Sequence, residues 1–193
     1  AALRDNLTEA VTQLEGSAIG DPLEVAAMQQ QLASSLLALG EAKAASEVFE
    51  KEFAAREERL GRDHADTLAS ANNLAEAWLD AGKLEEGLQL LEDTYARSKA
   101  KLGPEHPDTL VTLANLAGAN HRTGRLDASL PLFEEALVLH RKVLGPEHAH
   151  TLKCMSNLAG GYASVGRSAQ AIPLYDEALQ LQRLKKTLQH AYD

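Results

Sequence analysis

Cysteine is nearly absent from this chain: Cys154 is the only one in 193 residues. No internal disulfide can form, and a paired-cysteine metal or redox motif is excluded. Such usage suits a reducing compartment, so a cytoplasmic location is expected. Aromatic residues make up only 4% of the chain. Alanine and leucine dominate in their place, a helix-forming composition with little β-branched content. No apolar run approaches the roughly 20 residues of a membrane helix, so no membrane partner is expected. No basic-then-apolar leader opens the chain. It begins Ala-Ala-Leu without a methionine, which reads as a domain excised from a longer protein. Basic residues are outnumbered, 19 against 28 acidic, for a formal net charge of −9. Nucleic-acid binding draws on a basic stripe that releases counterions, and none is present, so nucleic acid is not expected as a partner. The acidic surplus favours solubility and, mildly, basic partners.

What the chain does have is repetition. LGRDHADTL at Leu60–Leu68 returns as LGPEHPDTL at Leu102–Leu110 and as LGPEHAHTL at Leu144–Leu152, 42 residues apart each time. A fixed period of this size marks a stacked array in which each unit buries its apolar face against its neighbours. Each unit reads as two helices. In the third, Leu110, Leu113, Ala114, Leu116 and Ala117 form one stripe at spacings of three and four. Leu126, Leu130, Phe133, Ala136 and Leu137 form a second stripe beyond the turn at Thr123–Arg125. The period predicts helix pairs at 22–39 and 42–59, 64–81 and 84–101, 106–123 and 126–143, 148–165 and 168–186. Residues 3–14 hold the register of a second helix from a preceding unit, within a leading helix over 1–17, and 187–193 read as a tail. The whole chain, 1–193, is expected to be one array with units 21–59, 60–101, 102–143 and 144–186.

Gly40, Gly82, Gly124 and Gly166 keep the period between paired helices and are expected at positive φ. Asp21 is a predicted N-cap, with Pro22 at the first helical position of a divergent first unit. Pro131 and Pro173 hold equivalent places early in second helices, a structural feature of the repeat.

The pattern resembles that of tetratricopeptide repeats. The fourth unit carries it as Leu158, Ala159, Tyr162, Gly166, Ala171, Tyr175 and Ala178. The second has Leu74, Ala75, Trp78, Gly82, Gly87 and Leu91, and the first has Leu32, Ala33, Leu36, Gly40, Ala45 and Phe49. The third departs from it, with Asn120 in the aromatic place and Ser129 in an alanine place, changes expected to loosen its packing. The usual period is about 34 residues. The 42-residue form with its LGPEHPDTL and NNLA strings is similar to the kinesin-light-chain subclass, known also from bacterial arrays. The resemblance implies an all-α fold, a right-handed α-solenoid of antiparallel helix pairs. First helices would line a concave face that binds an extended peptide or a helix of a partner.

In that register Asn73, Asn115 and Asn157 would face the groove. An amide offers donors and an acceptor, so it can clamp a ligand's backbone whatever its side chains. The competing reading has these asparagines capping or packing within the repeat. Asn72, Glu76 and Asp80 would join the face in the second unit, His121 and Arg122 with Gly118 in the third, and Lys153 and Ser156 with Gly160 in the fourth. This gives an acidic end and a basic end. Gly118 and Gly160 would admit a ligand to the backbone or serve helix packing, the latter slightly favoured. Trp78 is expected in the core.

His64, His106 and His148 stand one per unit, too far apart to share an ion, and are expected to cap the helices that follow. His148 and His150 with Cys154 form a weak metal lure, since residues two apart on a helix do not share a face. No metal and no cofactor are expected. No nucleophile–base set stands in a glycine-flanked elbow or phosphate loop, so the chain is not expected to be an enzyme. The expected role is a protein-interaction module for a protein or peptide ligand, either a monomer or a weak homodimer through its open ends. The alternative is a regulatory or scaffold extension of a multidomain bacterial signalling protein, such as a serine/threonine kinase, which self-associates.

Overall fold

A computed structural model describes residues 20–192, the side chains of 186 and 188–192 excepted. The expected leading helix over 1–17 lies outside the described residues. Those described form eight α-helices and no strand: α1 Pro22–Ala38, α2 Ala42–Leu60, α3 Ala65–Asp80, α4 Leu84–Lys101, α5 Pro107–Arg122, α6 Leu126–Leu144, α7 Ala149–Ser164 and α8 Ser168–Tyr192. Where a tail was expected over 187–193, α8 continues to Tyr192. The segment Leu-Lys-Lys-Thr-Leu-Gln-His-Ala-Tyr holds no glycine or proline to stop it, and most of its residues favour helix.

Two compact units meet in sequence between Lys101 and Leu102. The first holds α1 to α4 and the second α5 to α8. Within each, consecutive helices pack against one another.

The helix starts follow one device. The Asp21 carboxylate accepts from the Leu23 amide at 2.9 Å and caps α1. In the three later units the cap is an imidazole. Nδ1 of His64, His106 and His148 accepts from the amide two residues on, at 3.2 Å in each case. Each ring thus satisfies one of the four amides that a helix start leaves open. The histidines are caps, as their spacing predicts. His106→Ala is expected to cost about 1 kcal/mol in urea unfolding, and His106→Asn to recover most of it, because asparagine is a strong N-cap.

Gly82 joins α3 to α4 at φ +87 and Gly145 follows α6 at φ +87. L-residues avoid this region for lack of room beside the Cβ, so glycine turns the chain there without strain. Gly40, Gly124 and Gly166 also have positive φ, as the period implies. Pro131 and Pro173 lie inside α6 and α8, both exposed.

The core of the first unit gathers Leu32, Leu36, Val48, Phe49, Leu74 and Ala77 from three successive helices, with Trp78 half-buried against it. That is packing of each hairpin on the next. Trp78 Nε1 donates to Glu50 Oε1 at 2.7 Å. In the second unit the Tyr162 hydroxyl donates to Glu134 Oε1 at 2.6 Å. The two aromatics occupy the same repeat position, and each reaches a carboxylate 28 residues earlier. The third unit's departures are accommodated. Asn120 Nδ2 donates to the Leu116 carbonyl at 3.0 Å and Ser129 Oγ to the Ala117 carbonyl at 2.9 Å, and both residues are buried. A polar side chain is admitted to a tight seam when a backbone acceptor meets it.

A second polar feature lies between α2 and α3. Glu52 is fully buried. Its Oε1 receives the Ser70 hydroxyl at 2.6 Å and Arg56 Nε at 2.9 Å. Arg56 also donates to Gln30 Oε1 at 2.8 Å and to the Asp66 carbonyl at 3.2 Å. One guanidinium therefore ties α1, α2 and α3 together. Burial raises the Glu52 pKa from its ordinary 4.5, against the lowering by Ser70 and Arg56.

Candidate functional site

Each first helix shows one face at spacings of three and four. On α3 it carries Asn73, Glu76 and Asp80, on α5 Asn115, Gly118 and Arg122, and on α7 Asn157, Gly160 and Ser164.

In the second unit these faces border a groove of about 490 Å³. Gly118, His121 and Arg122 of α5 line one side, and Ser156, Asn157, Gly160, Gly161 and Ser164 of α7 the other. Phe133 of α6 lies at its floor. His121 Nε2 lies 2.7 Å from Ser164 Oγ, and Ser164 Oγ donates to the Gly160 carbonyl at 2.8 Å. A hydroxyl has one proton. With that proton on Gly160, the His121 Nε2–H is the donor to Ser164. The bond joins α5 to α7 across the groove and fixes which edge of the imidazole is spent.

The structure sorts the residues singled out by the sequence. His121, Arg122, Ser156 and Asn157 line the groove together. Ser156 Oγ is turned back to the Leu152 carbonyl at 3.1 Å. Lys153 is exposed one turn before Asn157. Asn115 is half-buried on α5, outside the groove lining, and already engages a neighbour within the protein. In the first unit Asn73 and Glu76 are half-buried and Asp80 is exposed. Asn72 is the correction. It is only 6% exposed, so it belongs to the packed interior and not to an open face. One residue is a step of about 100° round a helix, enough to take it off the face that Asn73 shares with Glu76 and Asp80.

The glycines also divide. A Cβ at Gly118 would meet nothing within 4 Å. Packing, the favoured reading of that residue, does not explain it, and its bare backbone borders the groove. A Cβ at Gly160 would touch only the Tyr175 hydroxyl, at 3.4 Å. The packing glycine is the next residue: a Cβ at Gly161 would lie 3.0 Å from Leu130 Cδ2. Sequence reasoning passed over Gly161 and read Phe133 only as part of an apolar stripe, not as groove lining. Their signal was available in the 42-residue register, which puts Gly161 where Ala77 and Ala119 stand and Phe133 where Phe49 and Leu91 stand.

Titratable groups behind this face are structural. Burial pushes the Cys154 thiol up to about 12, leaving it un-ionised and unreactive at neutral pH. Burial and the Glu134 partner raise Tyr162 to about 12. His140 is buried, its Nδ1 2.7 Å from the Ala136 carbonyl. Burial lowers its pKa, despite that carbonyl. Among the described residues no three His, Cys, Asp or Glu side chains are placed to hold a metal ion, and no helix is long and apolar enough to cross a membrane.

Stacked helix hairpins with a groove along their first helices define the class of α-solenoid repeat proteins, whose open faces receive other proteins. More narrowly, the tetratricopeptide repeat model matches residues 73–137 and 108–183, and a second tetratricopeptide repeat model matches 25–66. The chain belongs to the tetratricopeptide repeat family and is kinesin-light-chain-like. A crystal structure of a putative kinesin light chain from Podosopora anserina, with nearly identical TPR-like repeats, is 27% identical, with a TM-score of 0.73 over 96% of this chain and 91% of that one. BtubC (BKLC) from P. vanneervenii shares the fold at 17% identity, with a TM-score of 0.73 over 95% and 73% of the two chains. A Rap protein complexed with Competence and Sporulation Factor shares it at 13% identity and a TM-score of 0.74, over 92% of this chain and 47% of that one. A search of curated proteins returns no match.

Proposed function

We propose that the chain is an interaction module that takes an extended peptide segment of a partner protein in the groove between α5 and α7. The observation that carries this reading is the lining itself. Asn157 offers an amide to a peptide backbone, Gly118 leaves helix backbone uncovered for close approach, and Arg122 brings a guanidinium to the same lining. An open trough lined this way suits an extended chain, whose backbone presents a donor and an acceptor at every residue. The Rap protein complexed with Competence and Sporulation Factor supports the reading as an array of similar fold in complex with a partner.

The test is selection of peptides from a random extended-peptide library on the full chain, followed by fluorescence polarisation with the best binder. Asn157→Leu is expected to weaken binding about tenfold, the scale of one or two lost hydrogen bonds. The melting temperature should stay nearly unchanged, because Asn157 is half-buried at the groove edge. A large loss of stability would assign Asn157 to packing. Undiminished binding would remove the groove from the mechanism. Asn157 is the informative position because Asn115 is already engaged within the protein.

A further inference from the structure

The start of α7 departs from its two counterparts. The capping rings of His64 and His106 each have an aspartate in the first turn behind them. Oδ2 of Asp66 and of Asp108 lies 3.8 and 3.7 Å from the respective ring Nδ1. In α7 that register place is held by His150, and the first turn contains no acidic residue. The His148 and His150 rings stack, with centroids 5.4 Å apart. A third imidazole belongs to the same corner. His140 of α6 stands in the register place of Arg56 and Ser98 and is only 1% exposed. Burial lowers its pKa from the ordinary 6.5, and the charges of His150 and His148 lower it further, against the Ala136 carbonyl.

A cap made by Nδ1 needs its lone pair. Once protonated, Nδ1 can no longer accept from the amide two residues on. At α3 and α5 the new N–H meets the aspartate, whose charge offsets the ring beside the positive end of the helix. At α7 it meets His150, and two cations then share a helix start where the dipole is already positive. His140 adds to this. Its Nδ1–H donates to the Ala136 carbonyl at 2.7 Å, so a second proton goes to Nε2 and places a charge in a buried seam. The unfolded chain takes that proton near pH 6.5 and the folded chain only at lower pH. The neutral seam is therefore intact above 6.5, and its contribution is lost as pH falls from there through the folded value. The surrounding charges leave the corner without a compensating anion. Arg141 of α6 pairs with Glu177 of α8 at 2.7 Å, Lys142 pairs with Glu105 ahead of α5, and Asp108 of α5 lies beside His106. Lys153 of α7 and Arg183 and Lys185 of α8 are exposed and positive, and Glu147 in the turn before His148 is exposed, so water and salt screen it.

We propose that His140, His148 and His150 form an acid-sensitive latch, whose protonation frees the first turns of α7 from α6 and slackens the α7 wall of the groove. That wall carries Ser156, Asn157 and Gly160. The effect on a ligand rests on the proposed function, and the effect on α7 does not.

Hydrogen exchange read by mass spectrometry on the full chain, corrected for the intrinsic pH dependence of exchange, tests the latch. From about pH 7.5 to about pH 5.5, residues 149–156 are expected to lose protection roughly tenfold, and the equivalent 107–114 of α5 to change far less. His150→Asp restores the carboxylate of α3 and α5 at an exposed position and should remove most of that loss. His140→Ser copies Ser98 and should remove part of it by taking away the buried imidazole. Equal acid responses at the starts of α5 and α7, or a His150→Asp protein that responds like the wild type, would overturn the latch and leave the groove reading standing. In the second arm, the peptide selected on the full chain should bind the wild type several-fold more weakly at the lower pH, and His150→Asp nearly equally at both. An affinity that ignores pH while exchange responds would overturn the effect on the groove alone.

Discussion

Arg56→Ala is expected to lose about 3 kcal/mol of stability at pH 7, the scale seen when one partner of a buried ion pair is removed. The variant leaves the fully buried Glu52 carboxylate with Ser70 as its remaining partner, and Glu52 Oε2 already lacks a hydrogen bond among the described residues. The loss has a ceiling. Glu52 can escape by taking a proton, and neutralising a carboxyl with an ordinary pKa of 4.5 at pH 7 requires about 3 kcal/mol, near 1.36 kcal/mol per unit. That ceiling sets the pH dependence. The folded-state pKa of Glu52 is raised in the wild type and rises further without Arg56, whose charge lowers it. A raised carboxyl pKa stabilises the fold fully below 4.5, and this contribution fades as pH climbs through the folded value. The Arg56→Ala penalty should therefore shrink steadily from pH 7 towards pH 5. Urea unfolding of the wild type, Arg56→Ala and Arg56→Ala/Glu52→Leu across that range is the check. The double variant should recover much of the loss and show less pH dependence. A penalty flat in pH would mean that Arg56 acts through packing and its Gln30 bond and not through the buried charge.

Gly87→Ala and Gly118→Ala are expected to change stability in opposite directions. Both glycines sit inside helices at ordinary φ, so alanine would gain about 1 kcal/mol at either site from helix propensity alone. At Gly118 nothing lies within 4 Å of the new methyl group, and that gain should appear in full. At Gly87 the methyl group would lie 2.8 Å from Leu79 Cγ and 2.9 Å from the Ala75 carbonyl oxygen. Backbone cannot swing aside, and Leu79 is buried. Overpacking of this kind costs about 1–3 kcal/mol, which outweighs the propensity gain. The repeat register would have called the change harmless, since Ala45 and Ala171 hold the equivalent place. A difference lies eight residues earlier in the register: Leu37, the counterpart of Leu79, is half-exposed where Leu79 is buried. Matched shifts in urea midpoint for the two variants would refute this account.

The helices were legible because period, turn glycines and caps agree. Local chemistry settles those features within a few residues, as with His106 and the Asp108 amide. The groove was legible in part. The positions of His121, Arg122, Ser156 and Asn157 follow from the register, and the structure brings all four together. Asn72 was not legible, because one residue's rotation decides whether an asparagine is open or buried. Gly118 was not legible as a groove wall: its bare surroundings, with nothing within 4 Å of a Cβ, are set by neighbouring helices.

A 42-residue period of apolar stripes, broken by glycines and started by histidine or aspartate caps, determined that this chain folds as helix hairpins leaning on one another, since such patterns act over three or four residues. The placement of Glu52 beneath Arg56 and the bond of His121 to Ser164 across the groove were decided by tertiary structure alone. Each depends on which side chains from different helices come within a few ångströms, and no spacing along the chain encodes that distance.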